Sequence, residues 1–249
     1  MATTATGSVM KLSENAGASG PSVSPGCAEC ALERLAGRNY CGACGKPLRP
    51  RCERKQVTVL FADVSGFTAL SAQLDAEQVS EIMHRTFDIV LEAVHENGGT
   101  VNQFLGDGVM ALFGDGPFEH HANRALGAAL AIQERLETVR HEVRRTYGRE
   151  FRVRVGINTG PVVIGTIGSA LRTDYTATGS TASAALGLLQ IAEPGQIVVT
   201  EHTQELAIER FAFAEVGAIP VTESHEPVIV YELSHEKTQY AEDATLMIA

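Results

Sequence analysis

A tight hairpin set between two long helical patterns constrains this chain more than any other feature. Val101–Leu105 and Val109–Phe113 are short apolar runs joined by Gly106-Asp107-Gly108, which reads as two antiparallel strands and a turn. Upstream, Val79, Ile82, Met83, Phe87, Val90, Leu91 and Val94 recur at helical spacing, and Asn97-Gly98-Gly99 ends that helix. Before it, Val57–Ala62 is an apolar, β-branched run that ends at Asp63, as a buried strand does. Downstream, a second helix runs from about Glu119 to Tyr147, with Ala125, Leu126, Ala129, Ile132, Leu136 and Val143 on its inner face. Phe151–Ile157 reads as a strand, with Pro161–Ile167 as a candidate extension. Ala177–Leu189 reads as helix, and Gln196–Thr200 and Val228–Leu233 as strands. The order β-α-β-β-α-β, with further pieces, predicts an α+β, ferredoxin-like domain with helices on one face of an antiparallel sheet.

Composition agrees and excludes alternatives. With 44% apolar and 20% charged residues the chain can bury a core, so collagen-like, coiled-coil and wholly disordered classes are out. The 30 acidic residues outnumber the 20 basic ones, which argues against a nucleic-acid partner. A polyanionic substrate would need local cations or metal ions. No apolar run of signal-peptide length opens the chain. The least charged stretch, Tyr175–Ala192, is too polar to span a bilayer. The expectation is a cytoplasmic protein with no membrane span.

All five cysteines, Cys27, Cys30, Cys41, Cys44 and Cys52, lie near the N-terminus. The two Cys-x2-Cys pairs, Cys27/Cys30 and Cys41/Cys44, suit a structural tetrathiolate Zn²⁺ site, and Cys52 is left over as a thiol. The expected organisation is a disordered segment 1–25, a zinc-ribbon-like module 26–46, a basic linker 47–55, the main domain 56–233 and a mobile tail 234–249.

The chemistry centres on two carboxylates. Asp63 ends a predicted strand and Asp107 sits in the hairpin turn. Neighbouring strand ends would bring them together, and two acids at one sheet edge suit Mg²⁺, alone or as a pair of ions that activates an attacking oxygen and neutralises a leaving phosphate. On spacing alone, Asp63 as a helix cap and Asp107 as a turn residue remain open.

The surrounding words run Phe61-Ala-Asp63-Val-Ser-Gly66-Phe67-Thr68, Gln103-Phe-Leu-Gly106-Asp107-Gly108-Val-Met-Ala-Leu-Phe113, Val155-Gly156-Ile-Asn-Thr159-Gly160, Asp174-Tyr175-Thr176 and Glu193-Pro-Gly195-Gln-Ile-Val-Val199. In that order, over about residues 55–233, they resemble the class III nucleotidyl cyclases, the adenylate and guanylate cyclase catalytic domain. The cysteine module resembles the N-terminal zinc ribbons of some bacterial members. The resemblance implies a head-to-tail dimer with sites at the shared interface, converting a nucleoside triphosphate to the 3′,5′-cyclic nucleotide and pyrophosphate. It implies that Asp63, Asp107 and the Val64 carbonyl hold Mg²⁺ or Mn²⁺. Val64, Ser65, Gly66 and Phe67 would offer backbone N–H groups to the triphosphate.

The other subunit would supply a base-reading pair, a transition-state Asn and Arg, and a phosphate Lys. The sequence departs from the pattern there. Gln103 stands at the base-reading Lys position and Thr176 at its partner, the latter a variant found in adenylate cyclases. Ser183 stands at the Asn position and Gly187 at the Arg position, and the phosphate Lys falls among Thr222, Glu223 and Ser224. One transition-state Arg is worth ~10³–10⁵ in phosphoryl-transfer rate. The resemblance therefore implies a degenerate cyclase domain that binds nucleotide or a partner as a regulatory module. Its alternatives are the metal-donating half of a heterodimeric cyclase and a divergent but active homodimeric one. The helix bearing Ser183 is small and apolar, as a packing surface is. His120-His121 and the cluster Arg140, Arg144, Arg145, Arg149 read as solvated helix ends.

Overall fold

The computed structural model describes residues 53–66, 70–114, 120–169, 172–220 and 227–238, with Cys41, Ala43 and Cys44; over 165–178 it describes the backbone alone. The chain divides into two units, 1–50 and 51–249. Of the four expected zinc ligands, Cys27 and Cys30 lie outside the described residues, as do Cys52, Phe67 and 222–224; Cys41 is buried and Cys44 exposed.

In the second unit β1 (Glu53–Ser65) is followed by α1 (Ala76–Glu96), β2 (Thr100–Leu105), β3 (Gly108–Phe113), α2 (His121–Tyr147) and β4 (Arg152–Ser169). This is the expected β-α-β-β-α-β order. β5 (Arg172–Thr178), α3 (Ser180–Ile191), β6 (Ile197–Thr200), α4 (Glu201–Glu205), β7 (Phe211–Ile219) and β8 (Val228–Glu236) complete it. The strands lie in the order β2-β3-β1-β4-β6-β8-β7, with β5 paired to the far end of β4. All pairs are antiparallel except β4 with β6.

Side-chain alternation along β1 sorts the core into two layers. Leu60, Ala62 and Val64 face α1 and α2, meeting Ile82, Val90, Ala125, Leu126 and Ile132. Val57, Val59 and Phe61 face the other way and meet Ala185 and Leu189 of α3. Helices therefore cover both faces of the sheet, which corrects the one-faced arrangement expected from sequence. The third helix follows a glycine, Gly179, at φ 143°, and crosses to the second layer. Its apolar residues Ala184, Ala185, Leu188 and Leu189 are spent on its own sheet, whereas Ser183 and Leu186 are exposed.

Glycines set how closely α3 approaches. A Cβ on Gly156 of β4 would stand 2.5 Å from the Ala185 carbonyl oxygen and the Leu189 nitrogen, and one on Gly160 would stand 2.7 Å from Thr181 Oγ1. The helix lies backbone-to-backbone on β4, and only glycine permits it.

Several boundaries move, for tertiary reasons. β1 starts at Glu53, inside the stretch read as linker 47–55, because β4 pairs with it from Glu53↔Ile164 to Ser65↔Arg152. Asp63 is thus inside the strand and not at its end. β8 runs to Glu236, inside the expected tail 234–249, because β7 pairs out to Phe211↔Glu236. The expected helix from Ala177 begins at Ser180; the residues before it form β5 on the overhang of β4.

Candidate active site

Asp63 lies across from Gly108 on β3 and from Arg154 on β4. The first pairing carries the hairpin turn to it: the Val64 N–H donates to the Asp107 carbonyl oxygen at 3.3 Å. A Cβ on Gly108 would lie 3.0 Å from the Ala62 oxygen and 3.3 Å from Asp63 Oδ1, so glycine there leaves the carboxylates room. The Asp107 carboxyl is raised above the ordinary aspartate range, first by burial, then by the charge of Asp63 and a hydrogen bond with it. The two expected metal aspartates are therefore together.

The second pairing brings a residue that sequence reasoning missed. Arg154 donates from Nε and Nη2 to Asp63 Oδ2, at 3.1 and 2.9 Å. The pair is largely shielded, with 17% of the Asp63 side chain and 30% of Arg154 exposed. A signal was present: in Phe151-Arg-Val-Arg-Val155 alternation puts Arg152 and Arg154 on one strand face. What alternation lacks is the β1–β4 register, and that register decides which acid the arginine meets.

Two further groups face this cluster or adjoin it. Val64 is buried, and the Ser65 hydroxyl beside it is buried without a hydrogen-bond partner among the described residues. Gly66 follows at φ 85°, a turn conformation whose carbonyl accepts from the Leu70 N–H at 2.9 Å. Two carboxylates, with the Val64 carbonyl and the orphaned Ser65 hydroxyl next along the chain from Asp63, are hard-oxygen donors of the kind that would fit Mg²⁺ or Mn²⁺. Among the described residues no third His, Cys, Asp or Glu joins them.

The remaining expected residues stand elsewhere. Gln103 is half-buried on the edge strand β2, opposite Met110 and just past a bulge. The Thr176 backbone, on β5, lies opposite Gly165 of β4. Ser183 is exposed on α3, its hydroxyl turned back to the Gly179 carbonyl at 3.4 Å, and Gly187 is one turn further on. No described hydrogen bond links Gln103 or Ser183 to Asp63, Asp107 or Arg154. One chain thus brings Asp63, Asp107 and Arg154 together. Of the residues read as solvated, His121 differs: it is half-buried and its Nδ1 lies 2.8 Å from the Thr58 hydroxyl.

Residues 51–235 match the family model of the adenylate and guanylate cyclase catalytic domain. The chain belongs to this family. The cyclase domain is 38% identical over 133 residues to adenylate cyclase 1 of Rhizobium meliloti, covering 53% of this chain and 20% of that protein. It is 30% identical over 135 residues to an adenylate cyclase of Anabaena cylindrica, covering 53% of this chain and 26% of that protein. The cyclase domain thus spans about a quarter or less of these relatives' lengths. Among solved structures it is similar to the adenylyl cyclase CyaB of P. aeruginosa, with a TM-score of 0.72 and 29% identity over 76% of this chain and 98% of that one. It is also similar to the guanylyl cyclase Cya2, with a TM-score of 0.70 and 28% identity over 76% and 96%. The α+β cyclase fold is therefore established. No helix among the described residues is long and apolar enough to cross a membrane.

Proposed function

We propose that this cyclase domain keeps the metal-binding half of a class III site and has lost self-sufficient turnover, so that it acts by binding a nucleoside triphosphate or a partner chain. The observation that carries this reading is the contrast between two parts of one chain. Asp63 and Asp107 are held together beside Arg154, while the outward positions of α3 carry a short hydroxyl at Ser183 and no side chain at Gly187. A bound divalent ion would be held by Asp63, Asp107 and the Val64 carbonyl, and would supply charge neutralisation for a triphosphate. Arg154 balances Asp63 while the carboxylates stand alone. With a cation on those oxygens, the Arg154 guanidinium would remain beside the site and would suit a phosphate oxygen. Gln103 and Thr176 would meet the base. Gln103 both donates and accepts, which leaves the choice of base open to test.

The second reading, that the chain donates its metal half to a heterodimer, is favoured by the completeness of the Asp63–Asp107–Arg154 cluster. A cyclase assay of the purified chain with Mg²⁺ or Mn²⁺ and each of the four nucleoside triphosphates tests both. Little or no cyclic product is expected, and robust turnover by the chain alone would overturn both. The N-terminal unit is proposed to hold one structural Zn²⁺ on Cys27, Cys30, Cys41 and Cys44.

A further inference from the structure

Away from the carboxylates, a line of buried side chains runs from the first residue of α2 to the first turn of α3. His121 Nδ1 lies 2.8 Å from Thr58 Oγ1, which lies 2.9 Å from Thr159 Oγ1. Thr203 donates to Thr159 at 3.1 Å and also lies 3.2 Å from Thr200. Thr200 donates to Asn158 Oδ1 at 2.7 Å, and the Asn158 amide donates to the Thr181 carbonyl oxygen at 3.1 Å. Thr58, Thr159, Thr200, Thr203, Asn158 and Thr181 are each at most 9% exposed. The line passes from the α2 face of the sheet to the α3 face at the end of β6, where Ile157↔Val199 pairing sets Asn158 beside Thr200.

A hydroxyl has one proton to give, so the line has a direction. The Thr203 proton is on Thr159, so Thr159 gives its own to Thr58, and Thr58 gives its own to His121. The ring then accepts at Nδ1 and carries its hydrogen on Nε2. The Thr200 proton is already on Asn158, so the 3.2 Å contact between Thr200 and Thr203 has no proton in it. This is the only break in the line.

We propose that protonation of His121 reverses this line and tightens the hold on α3. A protonated ring donates at Nδ1. Thr58 must then turn its proton to Thr159, Thr159 to Thr203, and Thr203 to Thr200, closing the break. The Thr58 and Thr203 hydroxyls need only rotate, and the Thr159 side chain must also turn slightly toward Thr203, since as placed only Thr203 is oriented to donate in that pair. Thr200, now accepting, donates more strongly to Asn158, because hydrogen bonds in series polarise one another. Asn158 is the residue that grips the Thr181 carbonyl, so the helix carrying Ser183 and Gly187 is linked to a proton some four side chains away. By linkage, whatever moves α3 also moves the His121 titration. The groups that bear on the ring are consistent with a titrating site. His120 on its own turn and His202 on α4, together with burial, hold it below the ordinary histidine range, burial acting most. β1 meets it with the Thr58 hydroxyl, and Gly114 lies against the ring.

The test is nitrogen-15 NMR on the full chain. At alkaline pH the His121 ring is expected with hydrogen on Nε2; hydrogen on Nδ1 would overturn the proposal without any variant. The Thr181 and Ala182 amide signals are expected to shift with the His121 pKa. In Thr203→Val the protonated ring leaves the Thr159 proton without an acceptor. The His121 pKa should then fall by roughly one pH unit, the size of one unsatisfied buried hydroxyl, and the α3 amides should stop following it. Thr86→Val removes a buried hydroxyl whose one bond among the described residues is within α1, to the Ile82 carbonyl, and should leave the titration where it was. An unchanged or raised pKa in Thr203→Val, or an equal fall in Thr86→Val, rejects the line.

Discussion

At the scale of single residues, the site is governed by two carboxyls that share one small space. Burial and the neighbouring Asp63 charge raise the Asp107 carboxyl. The folded chain therefore holds a proton there more readily than the unfolded chain. That increment of stability is complete below the ordinary aspartate value of about 3.9 and is lost as pH rises through the raised folded value. A metal held by this carboxyl, as proposed, would compete with the same proton. Mn²⁺ affinity is expected to weaken as pH falls through the raised value, and binding near it should release protons; calorimetry in buffers of different ionisation enthalpy reads both. Binding with no proton release there would remove the basis for Asp107 as a ligand. Arg154 gives a second prediction. Arg154→Gln removes a charged hydrogen-bond partner of Asp63 and should cost about 1–3 kcal/mol of metal-free stability, read by urea unfolding. It should also tighten Mn²⁺ binding without nucleotide, since a competing cation is gone, and weaken nucleotide binding with the metal present. A variant that weakens Mn²⁺ binding alone would show that Arg154 shapes Asp63 and does not compete for it.

Among the elements, α3 is the one whose placement decides what the chain can do, and two glycines of β4 set that placement. Gly156→Ala would drive a Cβ to 2.5 Å from the Ala185 oxygen and the Leu189 nitrogen, backbone atoms that cannot turn aside. The expected cost is about 3 kcal/mol, at the upper end for overpacking. Gly106→Ala meets nothing within 4 Å and is strained only by its φ of 67°, so about 1 kcal/mol is expected. Urea midpoints of the two variants compare them, and equal losses would defeat the close-approach account. The same elements show what sequence can convey. α1 and α2 were legible because their apolar residues repeat with the helical period and Gly98 and Gly148 close them at positive φ. β3 was legible because it is buried throughout. β7 was missed because most of its residues are half-buried or exposed, and Ala-Glu-Val-Gly in its middle carries no period-2 signal; β8 makes it a strand. β5 was missed because its partner is an overhang of β4 that only the fold creates. Asp63 and Asp107 could be named from their words, but Arg154 waited on strand register, and so did the line from His121.

For the molecule as a whole, the first question is whether the N-terminal unit holds metal. One zinc per chain is expected, on Cys27, Cys30, Cys41 and Cys44, and less than half an equivalent by elemental analysis, with no gain on adding zinc, would exclude it. The second question is what completes the site. A homodimer would offer Gln103, Ser183 and Gly187 twice over, so dimerising repeats the loss and cannot repair it. Restoring one residue should do little, because groups that act in one transition state do not contribute separately. Gln103→Lys, Ser183→Asn and Gly187→Arg together should raise turnover, by as much as ~10³-fold or more if the arginine reaches the phosphates. The fold favours this trial. Of the apolar side chains around position 187 that suggest a repacked interface, Ala184, Ala185 and Leu188 are buried on the sheet of their own chain, whereas Leu186 is exposed. Positions 183 and 187 lie outside that buried set, on a helix held by Gly156 and Asn158. Gly187 is half-buried and has no side chain, so an arginine there displaces no existing side-chain contact. A complementary trial leaves this chain unaltered and mixes it with a cyclase that carries the Lys, Asn and Arg but lacks its own metal aspartates. One mixed site would then hold every group. Activity in the mixture alone, abolished by Asp63→Ala here, is the outcome expected of a metal-donating half; a silent mixture with demonstrated pairing would leave the chain as a binding module.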